Sequence, residues 1–331
     1  MLFRSRGGGH LARVSYYLGK LARHTPIEVT FVVDNESAAL LHTRAYNSLP
    51  GVSTSQPILT QQLARERANG KDAGVDLLII DRCLLNLDLL KFASRSSKVL
   101  VISDSTDNPY IRVADILVDI NHGSERLELL YRKQAPLECI HLLGWEYVPI
   151  QPCPIELAKD LQARRLRLLA PPWHMLLTMG SEDPLGFTES ALEALVGSRL
   201  ARDLAKLTVI KGPLFNREIA NSYSLPMKIV ESPKNLNQYY AEADLCISTG
   251  GVSTWERLRA GLPSRLVAYS KLQKKILLTL HEMGLLQVFS TFKALCSESL
   301  NSNRHIEQID LMCNITLGTK CEDVIYSIIK P

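Results

Sequence analysis

The stretch from Cys246 to Pro263 carries the residue types that bind a phosphate group. An apolar run ends in Gly250 and Gly251, and the hydroxyl residues Ser253 and Thr254 then lead into a helical pattern. A strand, a tight glycine turn and a helix start direct several backbone N–H groups into one concavity, which suits a phosphate or diphosphate. Glycine is needed there because a Cβ would hinder a left-handed turn and the approach of a ligand.

The same stretch also fits a purely structural role. Ser253 is followed three residues later by Glu256, which matches a capping box that needs no ligand. Both interpretations remain open from these residues alone.

A second glycine cluster stands near the N-terminus, where Gly7, Gly8 and Gly9 precede His10. Apolar residues then recur at helical spacing, which predicts a helix that starts directly after the glycines: Leu11, Val14, Leu18 and Leu21. A neutral imidazole at a helix start can accept a proton from water at cellular pH. A histidine bonded to a neighbouring carbonyl would fit the position equally well.

The strands that must position these turns are short apolar runs that alternate with helical patterns. The predicted strands are 29–33, 75–80, 99–102, 116–120, 175–179, 207–210, 227–230, 245–248 and 266–269, with helices including 36–46, 84–93, 188–205 and 271–283. Uninterrupted apolar strands alternating with helices indicate parallel sheets covered on both faces. A proline-rich region separates the two halves. We therefore predict an α/β fold with two Rossmann-like domains, 1–150 and 173–331, joined by a linker at 151–172 and facing a central cleft.

Composition limits the classes of function. The chain has 331 residues, enough for two domains, and its 38 basic and 34 acidic residues are mostly interleaved, so nothing demands a nucleic-acid partner. Seven scattered cysteines without a C-x-x-C pair predict reduced thiols in a cytoplasmic protein. No secretory signal and no apolar run of ~20 residues is present, so we predict no membrane span. The histidines lack metal-ligand spacing, and we predict no metal and no cofactor.

Four motifs together resemble one family: G-G-G-H-L-A-R at 7–13, T-M-G-S-E-D-P at 178–184, K-G-P-L-F-N at 211–216, and the stretch 243–263. They resemble the nucleotide-sugar hydrolases of pseudaminic acid synthesis and the related spore-coat polysaccharide proteins, which have the two-domain architecture of GT-B glycosyltransferases. The resemblance covers nearly the whole chain and is weakest between Gly123 and Pro172.

This resemblance implies hydrolysis of a UDP-linked amino or deoxy sugar of the 2,4-diacetamido-2,4,6-trideoxyhexose type, with inversion and release of UDP. The water-activating histidine of the family falls on His10. The predicted nucleotide-binding residues are Gly9, Gly180, Gly250, Gly251, Val252, Ser253, Thr254 and Glu256. The predicted sugar-binding residues are Arg13, Asp81, Asp104 and Gln273, although aspartates at strand ends are also ordinary turn formers. Asp183 fits either a helix cap or a residue lining the cleft.

The chain departs from the family at three places. Only Ser5 and Arg6 separate Arg4 from the first glycines where the family has a longer loop, Cys83 lies near the usual position of a tyrosine, and Leu272 replaces a common asparagine. Two other functions therefore stay open: an inverting GT-B glycosyltransferase with a UDP-sugar donor, and a nucleotide-sugar-binding protein without turnover. In each case we expect a monomer or weak dimer whose partner is the UDP-sugar.

Overall fold

The computed structural model of the chain describes residues 8–29, 32–33, 52–54, 58–59, 76–81, 98–150, 156–220, 222–233 and 235–329. It divides into two compact units. Unit 1 comprises Met1–Ile150 and Thr316–Pro331, and unit 2 comprises Gln151–Ile315. Strands and helices are numbered below in chain order among the described residues.

Unit 1 contains parallel strands only, as far as its described residues extend. Two short pairs come first, β1 (Ile27–Val29) with β3 (Val52–Thr54) and β2 (Val32–Val33) with β4 (Ile58–Leu59). A four-stranded sheet follows in the order β5-β6-β7-β8: β5 (Leu77–Asp81), β6 (Lys98–Ile102), β7 (Ile116–Asp119) and β8 (Ile140–Leu143). Strands β5 to β7 are almost wholly buried, as expected for apolar strands covered on both faces.

Helix α1 (Gly8–Leu21) buries one apolar face, made by Val14, Tyr17, Leu18 and Leu21. It begins at Gly8, and the prediction of a start after Gly9 is therefore wrong: Gly9 and His10 lie in the first helical turn instead of a loop before it. The N–H groups of a first turn have no intrahelical partner in any sequence, so burial of the apolar face can extend the helix into glycines at small cost. Short helices follow in unit 1: the 3₁₀ turns Pro109–Val113, Ser124–Leu127 and Trp145–Tyr147, and α2 (Glu128–Arg132).

Unit 2 is built on one six-stranded parallel sheet. Its strands are β9 (Trp173–Thr178), β10 (Leu204–Lys211), β11 (Met227–Glu231), β12 (Leu245–Ser248), β13 (Ser264–Val267) and β14 (Gln287–Phe289). They lie in the order β11-β10-β9-β12-β13-β14. Counted from β9 as the first strand, this is the 3-2-1-4-5-6 order of the Rossmann fold. The predicted α/β class is confirmed by the parallel four-stranded sheet of unit 1 and the parallel six-stranded sheet of unit 2.

The helices of unit 2 are α3 (Glu156–Leu168), α4 (Phe187–Leu195), α5 (Arg199–Arg202), α6 (Asn237–Glu242), α7 (Val252–Arg259), α8 (Lys271–Glu282), α9 (Phe292–Ser297) and α10 (Ser302–Cys313). The single helix predicted over 188–205 is two helices, because Gly197 adopts a left-handed φ of +73° between α4 and α5. The helices predicted at 36–46 and 84–93 lie outside the described residues.

The last helix, α11 (Cys321–Ile329), belongs to unit 1, although the sequence placed it in the second domain. It packs against α1 and the turn Trp145–Tyr147 and buries Val324 and Ile325 completely. Backbone N–H groups of Gly318 and Lys320 donate to carbonyls of that same turn at 3.1 and 2.9 Å. No helix in the described ranges is long and apolar enough to cross a membrane.

Candidate functional site

The strand order of unit 2 reverses between β9 and β12, and both of these strands end in glycine turns. Thr178 and Ser248 are paired at the last position of the two strands, so the turns at Gly180 and Gly250 start side by side. The Ser248 hydroxyl donates to the Thr178 carbonyl at 2.5 Å and joins the two strand ends. In open α/β sheets a ligand binds outside the carboxyl ends of the strands at such a reversal.

Gly251 has a conformation that requires glycine, with φ +127° and ψ −171° directly before α7. No heavy atom lies within 4 Å of the position that a Cβ would take, so the space over the turn is open. The Thr254 N–H donates to the Gly251 carbonyl at 3.0 Å, whereas helix geometry gives the N–H groups of Val252 and Ser253 no intrahelical acceptor. These groups carry the positive end of the helix dipole. This open turn can accept an anion.

The capping box considered for Ser253 and Glu256 does not form. Gly251 is the N-cap of α7 and makes no side-chain cap, while Ser253 is already inside the helix. The Ser253 Oγ accepts a hydrogen bond from Arg257 Nη1 at 3.1 Å, and Glu256 Oε2 accepts one from the Tyr240 hydroxyl at 2.9 Å. The prediction of a capping box is therefore wrong, and both side chains instead bond to residues of the protein outside the cap.

Gln273 lies directly against the glycine turn. A Cβ on Gly250 would lie 3.0 Å from Gln273 Cδ. Glycine is therefore favoured at position 250 by the close contact with Gln273, and not by a positive φ. The side-chain oxygen of Gln273 accepts a hydrogen bond from the Tyr269 N–H at 3.2 Å. The backbone N–H of Gln273 donates to Oγ of Ser270, which caps α8. The structure thus brings the predicted sugar-binding glutamine and the predicted diphosphate turn together within unit 2.

The turn at Gly180 is supported by the loop after β10. Gly180 has φ +87° and open space around it, while a Cβ on Gly212 would overlap the carbonyl oxygens of Gly180 and Ser181. The Leu214 N–H also donates to the Ser181 carbonyl at 2.8 Å. The motifs at 178–184 and 211–216 therefore meet through their backbones, which only glycine at position 212 permits.

Asp183 is a helix cap, one of the two roles considered for it. Its two carboxylate oxygens accept from the N–H groups of Phe187 and Thr188, each at 2.8 Å, and the side chain is buried. Arg217 donates to the same carboxylate at 3.0 Å. These bonds fix the start of α4 to the loop that follows the Gly180 turn.

The predicted sugar-binding residues of unit 1 form a buried ionic cluster. Arg13 Nε donates to Asp81 Oδ2 at 2.6 Å, Arg13 Nη2 donates to Asp81 Oδ1, and Arg13 Nη1 donates to Asp104 Oδ1 at 3.2 Å. Burial lowers the pKa of Arg13, but the carboxylates of Asp104 and Asp81 outweigh it and hold that pKa above its ordinary value. The side chain of Asp81 is fully buried and that of Asp104 is 13% exposed, so Asp104 is the more accessible of the two acids.

The cluster continues to the end of β7. The Asn121 amide donates to Asp119 Oδ1 at 2.8 Å and to Asp104 Oδ1 at 3.5 Å, and the Tyr131 hydroxyl donates to Asp119 Oδ2 at 2.6 Å. Burial raises the pKa of Asp119 to about 6, although the bonds from Tyr131 and Asn121 act in the opposite direction. Acids from three neighbouring strands thus share one network at the carboxyl edge of the sheet.

Several predicted features cannot be placed beyond the backbone. The backbone of Gly9 and His10 lies in α1, but the structure does not describe the surroundings of the His10 side chain. The N-terminal segment 1–7 and the residues Arg82 and Cys83 also lie outside the described residues. Within the described ranges, no group of three or more His, Cys, Asp or Glu side chains has an arrangement that could hold a metal ion.

Solved structures with similar folds span essentially the whole chain. MurG of Acinetobacter baumannii superposes with a TM-score of 0.64 at 15% identity, covering 100% of this chain and 99% of that one. MnaA of S. aureus in complex with UDP gives 0.61 at 12% identity, covering 98% and 93%. CalG4, the calicheamicin glycosyltransferase, gives 0.55 at 13% identity, covering 100% and 98%. These likenesses confirm the predicted GT-B-like fold with two Rossmann-like domains.

Sequence comparison adds one relative without an assigned activity. An uncharacterized protein of Methanocaldococcus jannaschii is 25% identical over 214 residues, which cover 62% of this chain and 43% of that protein. The chain therefore matches less than half of the length of this curated relative. No protein-family model matches the chain. The comparisons support the GT-B fold and do not single out the nucleotide-sugar hydrolases.

Proposed function

We propose that the chain is a GT-B-type enzyme that binds a UDP-sugar at the Gly251 turn of unit 2 and transfers the sugar, with inversion, to an acceptor hydroxyl. The observation that carries the proposal is the open, positive-φ turn of Gly251 at the start of α7, located where the strand order of a Rossmann sheet reverses. The shared fold with a calicheamicin glycosyltransferase and with a protein solved in complex with UDP supports this choice.

The geometry suits stabilisation of a leaving diphosphate. When the bond between the anomeric carbon and the β-phosphate oxygen breaks, negative charge grows on UDP and needs fixed hydrogen-bond donors more than a general acid. The N-terminal N–H groups of α7 and the helix dipole would provide them.

Glu256 and Gln273 are proposed to orient the rest of the donor. Tyr240 holds Oε2 of Glu256, and Oε1 accepts no hydrogen bond from the described residues, so it could accept from ribose hydroxyls. The Nε2 amide of Gln273 similarly donates to no described group, while its oxygen is fixed by Tyr269. His10 is proposed as the base that deprotonates the acceptor.

Hydrolysis of the same UDP-sugar is the second candidate. It is favoured by the four motifs that resemble the nucleotide-sugar hydrolases, and specifically by Gln273, which occupies the position of the sugar-contacting glutamine and lies against Gly250. Water would then replace the acceptor hydroxyl, and the diphosphate turn would act in the same way.

Titration calorimetry with UDP, followed by a panel of UDP-amino and UDP-deoxy sugars with and without alcohol acceptors, tests the proposal. We expect UDP to bind and to be released from a donor only when an acceptor is present. Release of UDP in equal amounts with free sugar, without any acceptor, would establish the hydrolase instead. Binding without turnover would indicate a binding protein, and failure of UDP to bind would contradict the assignment of the turn.

A further inference from the structure

The guanidinium of Arg257 bonds to residues on both sides of the glycines of the proposed diphosphate turn. Arg257 is 1% exposed. Its Nη2 donates to the Thr249 carbonyl at 3.0 Å and to Thr254 Oγ1 at 3.2 Å, and its Nη1 donates to Ser253 Oγ at 3.1 Å. One side chain therefore links the residue before Gly250 to two hydroxyl residues after Gly251.

The charge of Arg257 is not balanced by a carboxylate. Across the described part of the chain, Arg257 forms no ion pair with Asp or Glu, and its buried Nε has no hydrogen-bond partner. Arg265, another buried arginine of unit 2, pairs with Glu298 at 3.4 Å. Burying an uncompensated cation is costly, and such groups are normally paired. An anionic ligand at the turn would supply the missing negative charge.

The same contacts orient the two hydroxyl groups. Each accepts a hydrogen bond from Arg257, so its own proton must point away from the guanidinium, and neither hydroxyl donates to a described acceptor. Ser253 is only partly buried, whereas Thr254 is 3% exposed. Ser253 is thus the better placed to donate to a phosphate oxygen.

We infer that Arg257 is a positioning and specificity-determining residue that makes the turn select a nucleoside diphosphate over the monophosphate. It holds Thr249, Ser253 and Thr254 in place and contributes a buried positive charge that the terminal phosphate neutralises. This inference rests on the proposed function, because it assigns the terminal phosphate of UDP to the Gly251 turn.

Calorimetry with UDP and UMP on the full chain tests the inference. We expect Arg257→Met to lower UDP affinity by about tenfold to a hundredfold, because the turn loses a buried positive charge and the bonds that hold Ser253 and Thr254. In the same variant, UMP affinity should change by less than about threefold, because UMP lacks the terminal phosphate. Arg257→Lys should restore part of the selectivity, since lysine keeps the charge but lacks the planar fork.

Arg265→Met is the matched control, because it removes another buried arginine of unit 2 that contacts Gln287, Leu295 and Glu298 instead of the turn. It should leave the ratio of UDP to UMP affinity unchanged even where it lowers the melting temperature. If Arg257→Met does not fold, Arg257→Lys and Ser253→Ala replace it, and both should lower that ratio.

An unchanged ratio in the folded Arg257 and Ser253 variants, with UDP bound tightly by the wild type, would overturn the inference and leave the proposed function standing. Failure of the wild type to bind UDP would overturn both.

Discussion

At the scale of single residues, the candidate site depends on positions where a side chain would change the backbone. Gly251 is the clearest example, because its φ of +127° is strained for any other residue while the space above it is open. A substitution there acts through backbone strain and not through a clash. A substitution at Gly251 therefore tests whether UDP binding depends on the backbone conformation of the turn.

We predict that Gly251→Val lowers UDP affinity by about tenfold or more, because relief of roughly 1–3 kcal/mol of backbone strain would move the N–H groups of the turn. Titration calorimetry measures this directly. Gly197→Val is the control, since Gly197 also has a positive φ and open surroundings but lies between α4 and α5. Equal UDP affinity of the Gly251 variant and the wild type would show that the turn does not bind the diphosphate.

His10 allows a second test at this scale. Replacement by Asn keeps a polar side chain at the start of α1 but removes the group that could accept a proton. We expect turnover of the UDP-sugar to fall by roughly 10²–10⁴-fold, the usual contribution of a general base, with UDP affinity nearly intact. Steady-state rates and calorimetry on the same preparation distinguish these effects, and unaltered rates would remove His10 from the mechanism.

Sequence reasoning found the residues of the turn but not the side chains that support it. The glycines and the helix start follow from local patterns and Gln273 from the family resemblance, and the structure places Gln273 against Gly250. Tyr240 was missed because it reaches Glu256 from another helix, which spacing does not show. Arg257 follows Ser253 and Thr254 at helical spacing, which could have indicated that contact, but its bond to the Thr249 carbonyl could not be read from spacing. The pairing of Arg13 with Asp81, separated by 68 residues, is of the same kind.

At the scale of elements, the strands and their parallel order were largely predictable, because buried parallel strands are uninterrupted apolar runs. The exceptions have physical causes. Strands β8 and β14 are short, lie at sheet edges and are only partly buried, so their sequences carry a weak pattern. At Gly197, a positive φ ends α4 before α5 begins. The helical spacing of apolar residues continues across this glycine, so the spacing alone predicts one helix.

The start of helix α4 is capped by one side chain, the carboxylate of Asp183. We predict that Asp183→Ala lowers the free energy of unfolding of unit 2 by about 1–3 kcal/mol, because two helix N–H groups lose their acceptor and Arg217 loses one of its carboxylate partners. Chemical unfolding followed by circular dichroism measures the change.

Ser198→Ala is the comparison for this element. Ser198 caps the shorter helix α5 through one bond, from the Ala201 N–H at 3.1 Å, so its loss should cost about 1 kcal/mol or less. An Asp183 variant as stable as the wild type would show that the cap contributes nothing to α4.

At the scale of the whole molecule, the chain leaves unit 1 at Ile150 and returns to it at Thr316. Residues 316–331 were predicted to belong to the second domain. Local patterns cannot tell which unit covers a final helix, since that choice depends on contacts between residues as distant as Lys20 and Glu322. Helix α11 thereby makes the C-terminal segment a structural part of the first unit.

This arrangement predicts that a core substitution in α11 weakens unit 1 and leaves unit 2 unaffected. Ile325→Ala should cost about 2–5 kcal/mol, the usual range for removing a fully buried isoleucine, whereas Tyr326→Ala on the exposed side of the same helix should stay within about 0.5 kcal/mol. Hydrogen exchange resolved by peptide would show faster exchange in α1 and in Trp145–Tyr147, with β9 and β12 unchanged. Faster exchange confined to unit 2 would contradict the assignment of α11 to unit 1, since α11 packs against α1 and Ile325 is fully buried.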